Sequence, residues 1–154
     1  MKKHPFTALI LAFSFVASVP AWAATSDPLV GTWKTIDDRT GYSLSDVIIQ
    51  KNKNNEYSAK IINVRSVPGA ESMTTCIKCT GPEKNQPLVG LTTLTGLTTD
   101  PHNALEFNGG HLLDPKSGQR YQARARLMSN GKHLIIRSSM EGAAVGRNIT
   151  WVKN

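Results

Sequence analysis

Apolar and polar residues alternate with a period of two along much of this chain. The clearest case is 120–128, where Tyr121, Ala123, Ala125 and Leu127 share one face and Gln122, Arg124 and Arg126 the other. Alternation of that kind marks a half-buried strand. Segment 56–64 behaves likewise, with Tyr57, Ala59 and Ile61 against Ser58 and Lys60. Residues 29–35, 46–50, 133–138 and 146–153 read as further strands. Segment 89–97 is a strand or a short helix, and its Thr-rich run favours strand. Segment 105–113 is a strand interrupted by Gly109-Gly110, which predicts a bulge or a close backbone approach.

The breaks between these segments carry turn chemistry. Asp37-Asp38-Arg39-Thr40-Gly41, Asp114-Pro115-Lys116-Ser117-Gly118 and Ser129-Asn130-Gly131-Lys132 all place Gly, Pro or Asn where chain reversal needs them. No long apolar pattern of helical period is present. About eight strands joined by consecutive hairpins predict an all-β protein, a small antiparallel up-and-down β-barrel. A two-sheet β-sandwich is the alternative. Segment 65–86 has no such pattern, and a loop of that length is usually functional or disordered.

The N-terminus stands apart. Lys2 and Lys3 precede an apolar run over 6–19, Pro20 ends it, and Ala21-Trp22-Ala23 has the small-x-small form of a cleavage site. This is the pattern of a secretory signal peptide over 1–23, leaving a single domain over 24–154. The run is short for a membrane span, which needs about 20 residues. An uncleaved anchor is the competing reading. Export places the protein in the periplasm or, alternatively, outside the cell, and no transmembrane segment is expected after cleavage.

Losing Lys2 and Lys3 lowers the formal charge from +7 to +5. The remaining basic residues are scattered, so no nucleic-acid partner is expected. A basic face still attracts anionic headgroups or polymers. The two cysteines, Cys76 and Cys79, lie in a CxxC within the long loop. Three readings compete: a structural disulfide in an oxidising compartment, a thiol–disulfide redox pair, and half of a metal site completed by His102, His111 or His133. Compartment and spacing favour the disulfide. There is no nucleophile elbow, phosphate loop or HExxH, and no carboxylate pair is visible. No catalytic residue, metal or cofactor is therefore assigned. Pro28-Leu29-Val30-Gly31 recurs as Pro87-Leu88-Val89-Gly90, too short an echo to establish duplication.

Six motifs in order resemble a known family. They are 27–35 (DPLVGTWKT), Cys76-Ile77-Lys78-Cys79, Pro87-Leu88-Val89-Gly90-Leu91, 109–115 (GGHLLDP), Gly118-Gln119-Arg120-Tyr121, and Gly146-Arg147 with Trp151. Together they look like the bacterial secreted family called domain of unknown function 2147. That resemblance implies export and a small β-rich fold, with no agreed activity and no catalytic residues. The chain departs from the family at Phe107, where a Trp is common, and at Ser138 and Ser139 after Arg137. A structural likeness is to lipocalins and fatty-acid-binding proteins. There a first-strand Trp closes the barrel and a last-strand Arg packs across it, which implies such roles for Trp33 and Arg147.

These readings converge on a non-enzymatic periplasmic binding protein for a small apolar or amphipathic ligand. Its cavity would be lined by Val47, Ile49, Tyr57, Ile61, Tyr121, Leu127, Ile136 and Ile149. The same residues could instead fill a barrel of this size. In that case the protein is an envelope interaction module that binds an anionic polymer or a partner protein by its surface. A redox or metal site at the CxxC is the third alternative.

Overall fold

The computed structural model describes residues 26–154. The expected signal peptide over 1–23 lies outside them. Eight strands follow in chain order: β1 Gly31–Ile36, β2 Ser43–Lys51, β3 Glu56–Val64, β4 Thr92–Asp100, β5 Asn103–Asp114, β6 Gln119–Leu127, β7 His133–Ser139 and β8 Gly146–Lys153. Each pairs antiparallel with the next, and β8 pairs with β1, closing the barrel. The up-and-down barrel is therefore the fold, and the sandwich is excluded. Within segment 89–97, Thr92 onwards is strand β4 and not helix, while 89–91 belongs to the turn that leads into it.

Alternation sets the two faces. On β6, Ala123, Ala125 and Leu127 are buried while Gln122, Arg124 and Arg126 are exposed. This polarity is the reverse of a transmembrane barrel, whose lipid-facing side is apolar. Among the described residues no helix is long and apolar enough to cross a membrane.

The interior holds one continuous cluster. Trp33, Val47, Ile49, Leu94, Leu97, Leu134 and Ile136 are completely buried, and Phe107 and Trp151 nearly so. Tyr57 meets Phe107 edge-on, with ring centroids 5.5 Å apart.

Gly109 fits the predicted bulge. Phe107 opposes Ala125 and Gly110 opposes Ala123, so Asn108 and Gly109 together face Arg124. Gly109 has φ +74°, and a Cβ on Gly110 would come within 2.8 Å of Leu97 Cδ1. Both readings of the Gly-Gly pair, bulge and close approach, therefore hold.

An up-and-down barrel sorts its connections by end. The β2–β3, β4–β5 and β6–β7 turns share one end with the chain's entry and its C-terminus. The β1–β2, β3–β4, β5–β6 and β7–β8 connections share the other.

Candidate functional site

At the entry end, the segment before β1 folds into the barrel as a plug. Leu29 is completely buried, and the Trp33 indole N–H donates to its carbonyl at 2.9 Å. Asp27 holds this strap: Oδ1 accepts from the Leu29 N–H at 3.0 Å, and Oδ2 from the Tyr57 hydroxyl at 2.8 Å and Lys51 Nζ at 3.2 Å. Burial pushes the Asp27 carboxyl up, but the bonds from Tyr57, Leu29 and Lys51 outweigh it and hold the group below its ordinary value.

Trp33 lies at this end, and Arg147 does not pack across it. Strand β8 runs from Gly146 at the far end to Lys153 at the strap, and Lys153 is the residue opposite Trp33. Lys153 Nζ sits 5.2 Å from the indole centroid and donates to the Pro28 carbonyl at 2.5 Å. Arg147, at the start of β8, binds Asp38 through Nη2 and through Nε at 2.7 Å, tying the β7–β8 connection to the β1–β2 turn. The direction of β8 thus brings a lysine, and not the arginine that the lipocalin likeness implied, to the Trp33 ring.

The far end carries the β3–β4 loop. Cys76 and Cys79 are joined as a disulfide, both buried. Bonded to each other, they are not thiolate ligands for a metal. Their burial also denies an attacking thiol the access that exchange needs. Among the described residues no three His, Cys, Asp or Glu side chains gather where a metal could bind. The loop is ordered by its own pairing, with the Cys76 N–H donating to Gln86 O at 2.9 Å and the Leu88 N–H to Thr74 O at 2.8 Å. It rests on the β5–β6 turn: Cys76 Sγ lies 3.5 Å from Pro115 O, and Glu83 pairs with Arg120. The two Pro-Leu-Val-Gly segments behave alike, each with leucine buried, valine exposed and glycine at positive φ.

Of the eight residues expected to line a ligand cavity, Val47, Ile49, Tyr57, Ile61, Leu127 and Ile136 are buried in the central cluster. Tyr121 and Ile149 are half-buried, and Ile149 packs against the cluster. Seven of the eight thus belong to the central cluster or pack against it, and Tyr121 does not.

A cavity lies on the outer wall. It holds about 500 Å³ where β5, β6, β7 and the start of β8 run side by side, beside Ala143 and Ala144 of the β7–β8 connection. Its polar lining is Asn108, His111, Gln122, Arg124, Arg137 and Ser139. A second recess of about 270 Å³ near the β4–β5 and β6–β7 turns includes Leu127, the one cavity residue from the sequence reading found at either place. The outer cavity was missed because alternation assigns its residues to solvent. The signal was present in Arg124 and Arg137, on adjacent hairpin strands with no acidic residue between them.

No curated protein sequence matches this chain. Among solved structures it is similar to protein HP1028 from the human pathogen Helicobacter pylori, reported to belong to the lipocalin family. The two share 23% identity over 82% of each chain, with a TM-score of 0.66. At that identity the likeness is one of fold. The family described as "Uncharacterized protein conserved in bacteria (DUF2147)" matches residues 31–153, from the first residue of β1 to the last of β8, and the chain belongs to that family.

Proposed function

We propose that this is a non-enzymatic binding protein of the periplasm that engages its ligand or partner on the outside of the barrel. The observation that carries the reading is where space is found. Inward side chains are buried in one cluster of aromatic and aliphatic groups, while a cavity of about 500 Å³ opens on the outer wall. That volume is within the usual range for a small-ligand site. The buried disulfide supports a location outside the cytoplasm, where such bonds persist. The secretory pattern over 1–23 supports the same compartment.

A second reading keeps the ligand inside, as a small apolar or amphipathic molecule. The lipocalin-like fold favours it, since closed barrels of eight strands can hold one small ligand. It requires buried interior side chains to move aside.

Intact mass spectra of the mature protein, purified from periplasmic extract without reductant or refolding, test both. The outer-site reading expects a denatured mass two hydrogens below the reduced chain. It also expects any organic adduct in the native spectrum to be lost when the outer wall is altered and kept when Tyr121 is replaced by Phe. An adduct that survives outer-wall changes and is lost with bulkier interior substitutions would establish the interior reading instead. Recovery of the protein only from the cytoplasm, with free thiols, would overturn both.

A further inference from the structure

The outer cavity has a feature that strand packing alone disfavours. Arg124 on β6 and Arg137 on β7 are directly opposite each other on the outward face. Like charges in that position repel and destabilise a sheet. The protein neutralises its other strand arginines: Arg120 with Glu83, Arg126 with Glu106, and Arg147 with Asp38. Arg65, after β3, pairs with Asp46. Among the described residues Arg124 and Arg137 have no acidic partner and no side-chain hydrogen bond. Yet both line the same concave site.

The surroundings suit an anion. His111 and Gln122 are cross-strand neighbours, and Gln122 is opposite Ser139, so a row of hydrogen-bonding side chains runs beside the arginines. The β5 bulge places Asn108 and Gly109 against Arg124. A Cβ on Gly146 would lie 2.9 Å from the Ser138 carbonyl oxygen and 3.3 Å from the Arg137 Nε, so glycine keeps β8 close to β7 beside Arg137. Ala143 and Ala144 form a small apolar wall, with Met140 and Val145 exposed in the same connection.

We infer that this cavity binds a phosphomonoester, with Arg124 and Arg137 clamping the phosphate and the alanine wall taking the organic part. A phosphomonoester carries about −1.5 to −2 charges at neutral pH, which matches two guanidinium groups. Arginine forks suit phosphate oxygens in two-point contacts. The volume exceeds that of a bare phosphate and leaves space for a small organic group. The inference rests on the outer-site reading and adds the ligand's chemistry to it.

The test is a titration of the full mature chain with inorganic phosphate and with glycerol 3-phosphate at low salt, followed by amide and arginine side-chain NMR. Saturable shifts should centre on residues 108–111, 122–124, 137–139 and 143–146. Arg124→Gln and Arg137→Gln should each weaken glycerol 3-phosphate binding by about tenfold or more, as expected for a lost charge-assisted contact. Arg39→Gln, in the exposed β1–β2 turn, should leave it unchanged. Both cavity variants should unfold at or above the wild-type temperature, because each removes a repulsion. Shifts that stay linear and scattered over the surface, or equal weakening by Arg39→Gln, would show bulk charge attraction and overturn the inference. Vesicles of phosphatidic acid in phosphatidylethanolamine separate the two sources. Co-sedimentation that glycerol 3-phosphate competes away assigns a lipid headgroup, and free-ester binding without co-sedimentation assigns a soluble ester; either supports the site. A wild-type protein that ignores both phosphates yet keeps an organic adduct lost on changing Ala143 or Ala144 refutes the phosphate and retains the outer-site reading.

Discussion

Gly118 sits at φ +74° in the β5–β6 turn, and a Cβ there would lie 2.0 Å from the Lys78 carbonyl oxygen. Two constraints therefore meet at one residue. The left-handed backbone disfavours any side chain, and the disulfide loop's own backbone occupies the space that side chain would need. Gly41 carries the first constraint alone, at φ +72° with nothing within 4 Å. Gly41→Ala should thus cost roughly 1 kcal/mol, the strain of the left-handed region. Gly118→Ala should cost about 2 kcal/mol more, because backbone must move. Urea unfolding of the two variants measures the difference, and limited proteolysis should find the β3–β4 loop opened only in Gly118→Ala. Equal losses would mean that the loop does not depend on this contact. The turn at 114–118 was readable in the sequence from Pro115 and Gly118; the second constraint was not, since it comes from residues some forty positions away.

The strap and the disulfide loop are elements held by different means, and they should fail under different conditions. Asp27 fastens the strap, and Asp46 fastens the end of β3 through Arg65 at 2.5 Å and Asn63 at 3.1 Å. Burial pushes the Asp46 carboxyl up, and the bonds from Arg65 and Asn63 more than reverse it. Both folded-state values lie below the ordinary 3.8. Each carboxylate therefore contributes its full stability above that value and loses it as pH falls towards the folded value. Asp27→Asn should unfold at a lower temperature than wild type at pH 7, and the gap should narrow below about pH 4. A gap constant from pH 7 to pH 2.5 would mean that the charge of Asp27 is not what holds the strap. The disulfide responds to neither pH nor salt. It closes only a three-residue separation, so replacing both cysteines with serine should cost about 2 kcal/mol on a chain-entropy account. Calorimetry should show the barrel still unfolding in one transition. A loss several times larger would mean that the loop supports the barrel rather than resting on it.

Across the whole molecule, what could be read from the sequence was what is local. Period-two alternation in 120–128 and Asn130-Gly131 gave β6, β7 and their turn, and eight such segments implied closure. Cys76 and Cys79 were readable because spacing and compartment constrain them together. Long-range register was not readable, which is why Trp33 was matched with Arg147 when β8 brings Lys153 to it. Nor could alternation reveal that the outward face of β5–β8 is concave. Closure itself has a testable consequence. Strand β8 pairs with β7 from His133 to Ser139 and with β1 from Trp33 to Ile36, so it covers two edges at once. It also supplies Trp151 to the core and Lys153 to the strap. Ending the chain after Val145 would expose β1 and β7 together, and open edges recruit other chains. The truncated protein should be recovered as aggregates under conditions where the full chain is monodisperse by size exclusion. Adding residues 146–154 as a separate peptide during refolding should restore monomer, since every hydrogen bond and buried side chain of β8 is supplied in trans. A truncated chain that stays monomeric and folded would mean that seven strands can close on themselves, and that β8 serves the outer cavity more than the barrel.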